Sequence, residues 1–337
     1  MIGIIVNPAS GKDIRRLVAQ GTVFDNMEKV NIIQRILVIL KWAGVKDIWA
    51  MPDSFDIVGK AQQALKRNLN IDLEVNFLTF DLNNDQTDSI KAAELLRDKG
   101  AKCIITLGGD GTNRAVAKGC GSVPLIPLST GTNNVFPQML EGTVAGLAAA
   151  VVASRAGEEH ARIKPTKVLK IYRNGREVDR ALVDVVVTTD RFVGSRALWN
   201  PERIKEILVT RGMPNTIGMS AVAGVLHPIE EEEEKGLYIQ LGAGGINTWA
   251  PIAPGMICPV GVLSHRAIYP GERVEIKTRP SMLALDGERE LTVGAADLVE
   301  VELSQDGPRI VDVEGTLVAA SRAGYFQMDG FTPVTLT

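Results

Sequence analysis

Residues 103–112 read Cys-Ile-Ile-Thr-Leu-Gly-Gly-Asp-Gly-Thr, and the fold is decided there. The apolar run 102–107 has the length and content of a strand buried on both faces. A helical stretch opens at 113–118. Between them stand Gly108, Gly109 and Gly111, which let the backbone turn sharply and bring main-chain N–H groups close to an anion. The start of a helix adds partial positive charge at the same place. Asp110 sits in the middle of this loop, and a carboxylate beside phosphates is repelled unless it takes a proton or meets a metal ion. Two readings follow. The loop holds phosphate with Asp110 as a general base, or it is a strand-to-helix turn with Asp110 as its cap.

Outward from this loop, the first half of the chain alternates short apolar runs with longer amphipathic ones. Strands are predicted at 2–6, 47–51, 73–77, 102–107 and 124–128. Helices are predicted at 27–42, 57–67, 88–98, from 113, and at 144–154, with Gly44 and Gly100 as stops. Such alternation with buried-type strands predicts a doubly wound parallel sheet covered on both faces. The second half changes character. Strands are predicted at 168–173, 177–189, 236–241, 267–269, 273–278, 282–285, 298–303 and 309–313, with 201–210 the sole helix. Asn174-Gly175, Pro270-Gly271, Asp286-Gly287 and Asp306-Gly307 supply turn signals between several of them. The expected organisation is an α/β phosphate-binding domain over 1–155, an antiparallel β-rich domain over 166–320, and a segment 321–337 that packs back on the first.

Composition narrows the function classes. The chain has 337 residues, 37 Lys plus Arg and 40 Asp plus Glu, for a net charge of −3. Residues 1–155 carry +2 and residues 156–337 carry −5, so neither half offers the basic field a nucleic acid or an anionic membrane requires. No run reaches the ~18 apolar residues of a membrane span. The N-terminus lacks a basic leader and reads as a first strand. Cys103, Cys120 and Cys258 form no paired motif, and His160, His227 and His265 are scattered, so no dedicated metal site is expected and a reducing cytoplasm is the expected location. The acidic run 230–234 reads as a solvated loop. Glycine, at 33 residues, exceeds the average usage of roughly 7%.

Two further loops leave strands on the same edge of the predicted sheet. Asn7-Pro8-Ala9-Ser10-Gly11-Lys12 follows the first strand; it is not a Walker A motif, and alone it is an ordinary turn with a surface lysine. Ser129-Thr130-Gly131-Thr132-Asn133-Asn134 offers hydroxyls and carboxamides. Ligands of open parallel sheets bind beyond the carboxyl ends of the strands, so three polar glycine-bearing loops there point to one site. The G-x-G-x-x-G dinucleotide fingerprint is absent from these loops, which disfavours hydride transfer. In the second half, Leu285-Asp286-Gly287-Glu288 is, by itself, a hairpin turn.

Together the first loop, Gly-Gly-Asp-Gly-Thr, the Asn-Asn loop and the late Asp-Gly-Glu resemble the superfamily of NAD kinases and diacylglycerol/sphingosine kinases. The strand at 181–187 and the segments 257–266, 285–287 and 297–301 resemble the C-terminal strands of NAD kinases. The overall order, and 190–199 above all, is most similar to the NAD-kinase-like branch associated with acetoin catabolism. The resemblance implies an active site in the cleft between the two domains, a nucleotide and a small-molecule substrate, Mg²⁺ with ATP (or polyphosphate) as donor, and a homo-oligomer. It implies that Gly108, Gly109, Gly111 and Thr112 wrap the donor phosphates. Asn7, Ser10, Gly11 and Lys12 would contact the same nucleotide, and Thr130, Gly131, Thr132, Asn133 and Asn134 would complete the pocket. Asp110 would be the base and Glu288 a second catalytic carboxylate, with Asp184 and Asp286 binding the acceptor. Three departures bear on the acceptor: Val183 replaces an asparagine, Gly218-Met219-Ser220-Ala221-Val222 replaces Gly-Ser-Thr-Ala-Tyr, and Val260-Gly261 replaces a histidine after Cys258-Pro259. A lipid kinase and a nucleotide-binding regulator without turnover are the alternatives.

Overall fold

A computed structural model describes residues 1–11, 24–131, 133–155, 157–189 and 201–327. Its N-terminal unit is built on a seven-stranded sheet of order β3-β2-β1-β4-β5-β17-β6. The strands are β1 Ile2–Val6, β2 Ile48–Ala50, β3 Asn76–Phe77, β4 Cys103–Gly108, β5 Leu125–Ser129, β6 Ile163–Lys164 and β17 Ile310–Val311. All pair in parallel except β6, which runs antiparallel to β17. Alternation along β1 sends Ile2, Ile4 and Val6 into one apolar cluster with α1 (Asn26–Trp42), α2 (Ile57–Leu69) and α5 (Gly142–Ala153), and Ile5 into another with α3 (Gln86–Asp98) and α4 (Asp110–Gly119). Both faces are therefore covered, as continuous apolar strands require. Helix α5 is rich in Gly and Ala because it lies close against α1: a Cβ on Gly146 would stand 3.1 Å from that of Ile39.

The C-terminal unit is antiparallel. A six-stranded sheet has the order β12-β11-β10-β9-β14-β15 and a four-stranded sheet the order β13-β16-β7-β8, with β10 at Ile204–Val209, β11 at Gly236–Ala253, β12 at Met256–Ile268, β13 at Arg273–Glu275 and β16 at Val299–Ser304. The strands that matter for the site are β7 (Val168–Arg173), β8 (Arg176–Ala181), β9 (Asp184–Thr188), β14 (Ser281–Leu285) and β15 (Glu288–Val293). Leu169, Ile171 and Val301 of the smaller sheet interdigitate with Val185, Val187 and Leu283 of the larger. The other face of the larger sheet is covered by α6 (Ser220–Leu226).

Several sequence expectations are corrected. The helix expected at 201–210 is a short 3-10 turn followed by strand β10 (Ile204–Val209). Its Ile-Leu-Val content and its place between β9 and β11 (Gly236–Ala253) make it a strand. Glu206, 2% exposed, is held there by N–H groups of Lys277 and Thr278 and by the Tyr238 hydroxyl. The single strand expected at 177–189 is two, β8 and β9. The strands expected at 236–241 and 267–269 are parts of one long hairpin, β11 and β12 (Met256–Ile268). The strand expected at 309–313 belongs to the first sheet, and α7 (Val313–Arg322) packs on α5 through Ala320 and Val151. The chain thus returns to the N-terminal unit from Ile310, before residue 321; residues 328–337 lie outside the described residues. The acidic run is not simply solvated: Glu231 pairs with Arg211, Glu232 with Lys164 and Glu233 with Lys235. Beneath it the Lys167 ammonium donates to the carbonyls of Glu230, Glu233 and Lys235, and burial lowers its pKa to about 8.

Candidate active site

The site grows from the end of β4. Gly109 is the N-cap of α4 and Asp110 its first residue. Close packing explains the glycines: a Cβ on Gly108 would lie 2.4 Å from that of Thr112, and one on Gly109 2.8 Å from the Asn134 carboxamide oxygen. The loop is locked from inside by Asn113, which is fully buried. Its Oδ1 accepts from the Thr106 hydroxyl at 2.6 Å, and its Nδ2 donates to the Gly109 carbonyl at 2.9 Å. Sequence reading did not single out Asn113, although an amide one turn into a helix after a glycine loop is a capping signal.

The three loops meet. Asn7 Nδ2 donates to Thr112 Oγ1 at 2.8 Å, and Thr130 Oγ1 donates to Ser10 Oγ at 2.9 Å. Asn134 Nδ2 donates to Ser129 Oγ at 2.7 Å, and Ser129 Oγ to the Gly131 carbonyl at 2.7 Å. Gly11 has φ +74° and no room for a side chain against Phe24 and the Thr130 carbonyl. Asn133 lies in the same loop. Lys12 and Thr132, and the stretch 190–199, lie outside the described residues. Beneath the first loop, Lys29 is fully buried on α1 and donates to the carbonyls of Asn7 and Ser10 at 2.8 Å each. Sequence reading missed it because a lysine within a helical stretch reads as surface.

Asp110 points away from its own helix towards the third loop. Its Oδ1 accepts from the Phe136 N–H at 2.7 Å, and both oxygens lie 3.1 Å from the Val135 N–H. Burial and the neighbouring Asp286 charge push its carboxyl up to about 7; the two N–H groups and the Arg211 guanidinium hold it back. A carboxylate has about four lone-pair directions, so room for a further donor remains.

The second unit reaches the same place by two routes. Glu288, at the start of β15, lays its carboxylate beside Gly111, 3.2 Å from where a Cβ would stand. Asp286, in the turn between β14 and β15 at φ +50°, turns inward. Its oxygens accept from the N–H groups of Leu182 (2.9 Å), Val183 (2.7 Å) and Asp184 (3.2 Å), and Arg114 Nε stands 3.7 Å away. This carboxylate is what divides β8 from β9. The resemblance made Asp286 an acceptor contact, but its oxygens are engaged in holding the turn that carries Asp184. Arg114, 1% exposed and one helical turn beyond Asp110, also contacts Asp179, as does Lys118 at 2.7 Å. Helix α4 is therefore pinned to the second unit, and Asp110, Asp286 and Glu288 lie at its N-terminal end. Among the described residues, no cluster of three or more His, Cys, Asp or Glu side chains forms a ready-made metal site, and no helix is long and apolar enough to cross a membrane.

The site is thus a glycine loop that opens a helix on a parallel sheet and is faced by carboxylates from a β-rich unit. Residues 2–156 match the ATP-NAD kinase N-terminal domain, and residues 167–306 match the acetoin catabolism protein X C-terminal domain. Acetoin catabolism protein X of Cupriavidus necator is 37% identical over 338 residues, covering 96% of this chain and 92% of its own. The chain belongs to the acetoin catabolism protein X family. Among solved structures, yeast NADH kinase complexed with NADH is 13% identical with a TM-score of 0.48, covering 98% of this chain and 89% of its own. A putative diacylglycerol kinase from Bacillus anthracis is 16% identical with a TM-score of 0.40, covering 92% of this chain and 97% of its own.

Proposed function

We propose that the protein transfers a phosphoryl group from ATP to a hydroxyl of a small molecule, NAD or a related metabolite, in the manner of NAD kinases. The observation that carries this reading is the convergence of three loops and the Asp110 carboxyl on the N-terminus of α4. The backbone of Gly108, Gly109, Gly111 and Thr112 accepts donor phosphates where the helix dipole favours them. Asn7, Ser10, Gly11, Thr130, Asn133 and Asn134 form the adjoining wall, and the resemblance assigns Lys12 and Thr132 to the same nucleotide. Asp110 takes the proton of the attacking hydroxyl; a carboxyl near neutrality is matched to that task at physiological pH. Glu288 faces the same helix from the other unit, and Asp184, set by Asp286, faces the acceptor. Mg²⁺ fits as a companion of the donor, with carboxylates near α4 but no preformed cage among the described residues; bound there it would neutralise charge on the phosphates. The resemblance and the free thiols of Cys103, Cys120 and Cys258 support a cytoplasmic setting.

A nucleotide-binding regulator without turnover is the second reading, favoured by Val183 in place of the family's asparagine and by the missing histidine after Pro259. The test is to incubate the purified protein with ATP and Mg²⁺ alongside NAD, NADH, diacylglycerol and a small-metabolite pool, and to follow products by mass spectrometry. NADP or another phosphorylated small molecule supports the proposal. A phosphorylated lipid points to the lipid-kinase alternative. Nucleotide binding with no product from any acceptor overturns it in favour of the regulator.

A further inference from the structure

Strand β10 runs into Thr210-Arg211-Gly212, and the backbone there is held from both sides. The Thr210 N–H donates to the Val183 carbonyl at 2.9 Å, and its hydroxyl donates to the Leu182 carbonyl at 2.7 Å. Gly212 and Ile229 exchange N–H···O bonds at 3.0 and 2.9 Å. Leu182 and Val183 are also the residues whose N–H groups hold Asp286. Arg211 is therefore fixed between the segment that carries Asp184 and the acidic run 230–234.

Arg211 is 7% exposed. Its guanidinium carbon stands 5.2 Å over the Phe136 ring, and Phe136 is a residue whose N–H holds Asp110. The Asp110 carboxyl, raised chiefly by burial, is drawn back in part by the Arg211 charge. The guanidinium thus stands within electrostatic reach of the base.

Its hydrogen bonding is half made. Nη1 forms an ion pair with Glu231 Oε2 at 2.9 Å. Among the described residues, the buried Nε and Nη2 have no hydrogen-bond partner, and neither has the buried Oε1 of Glu231. Buried polar groups without partners are destabilising and uncommon. A pair kept for stability alone would close both oxygens on the fork; this one is joined at a single corner. Nε–H and Nη2–H lie on one side of the planar group and point in parallel, the arrangement that grips two oxygens of a carboxylate or phosphate.

We propose that the Nε–Nη2 fork of Arg211 binds an oxyanion, carboxylate or phosphate, carried by the acceptor. The acceptor is then an acidic hydroxy compound, not a neutral polyol or a glyceride. This inference rests on the reading that the cleft takes a small hydroxyl acceptor, and it adds the group by which that acceptor is chosen. Asp110, Asp286 and Glu288 repel an anion that enters here, so an acidic acceptor needs a cation of its own. Arg114 is already committed to Asp179 and Asp286.

The test is binding by calorimetry, without turnover, of NAD, glycerate, glycerol 3-phosphate and glycerol to the full chain and to Arg211→Met and Arg211→Lys. Because no transfer is read, an absence of phosphoryl transfer leaves the result standing. At least one of the three oxyanion compounds is expected to bind the wild type with a Kd of about 1 mM or tighter. Glycerate and glycerol 3-phosphate tell a carboxylate from a phosphate. Both variants should bind that compound at least about tenfold more weakly, with unchanged far-UV circular dichroism, since lysine keeps the charge beside Glu231 but lacks the fork. Should Arg211→Met fail to fold, Arg211→Lys decides alone. If no oxyanion compound binds, if Arg211→Lys binds it as the wild type does, or if glycerol binds equally well and is weakened as much, the proposal is overturned.

Discussion

Replacing Arg114 by Met tests how the two halves of the site are held together. The guanidinium is 1% exposed and stands 3.7 Å from the buried Asp286 carboxylate. Burial pushes the Asp286 carboxyl above its usual range, while Arg114 and three backbone N–H groups pull it back. Methionine fills much of the volume but leaves that carboxylate without its cation. Breaking a buried pair by removing one partner costs roughly 3–5 kcal/mol. The long contact and the three remaining N–H donors place this case near the lower end, about 3 kcal/mol at pH 8. The variant also has a pH signature. Without Arg114 the folded-state pKa of Asp286 rises further above its unfolded value. Stability from such a group is fully present below the unfolded pKa and is lost as pH rises through the folded one. The cost must therefore be larger at pH 8 than at pH 5. Urea unfolding of wild type and variant at both pH values measures it. A loss under about 1 kcal/mol, equal at the two pH values, would refute the reasoning, because Asp286 would then be held by the backbone alone.

Three other outcomes are expected. The rate of phosphoryl transfer, kcat/KM, should climb with pH through a midpoint near 7 as Asp110 loses its proton; a flat profile from pH 5 to 9 would remove Asp110 from the proton transfer. Gly108→Ala should cost about 1–3 kcal/mol in thermal or urea unfolding and weaken MgATP binding, since its Cβ would displace Thr112 and break the Asn7–Thr112 hydrogen bond; unchanged nucleotide affinity by calorimetry counts against the loop assignment. Lys29→Met should destabilise by about 2 kcal/mol, because the carbonyls of Asn7 and Ser10 lose a buried charged donor; a neutral effect on unfolding would show that loop 7–11 is held by other contacts.

The parallel sheet was legible because its strands are continuous apolar runs and its helices carry clear stops, and the glycine loop because no other residue fits against Thr112 and Asn134. The hairpin was not: Gly242, Gly244, Gly245 and the prolines of 251–259 break the alternation by which strands are recognised, although pairing across β11 and β12 survives the bulge. Strand β10 was misread because Lys205 and Glu206 interrupt its apolar run with charge, and the buried partners of Glu206 are remote in sequence. In the site, local motifs placed Asp110 beside phosphate-type loops. The inward turn of Asp286 and the roles of Lys29, Asn113 and Arg114 depend on contacts across the fold, such as the hydrogen bonds from residues 182–184 to Asp286. Sequence spacing does not encode these.

The central claim is that Asp110 accepts a proton during phosphoryl transfer at the start of α4. Its most direct test is Asp110→Asn, with MgATP binding measured by calorimetry and transfer of labelled γ-phosphate measured with the acceptor that the wild type uses. The account predicts that the variant folds, binds MgATP as the wild type does, and transfers phosphate slower by roughly 10²–10⁴-fold. A folded variant that retains wild-type turnover would contradict it.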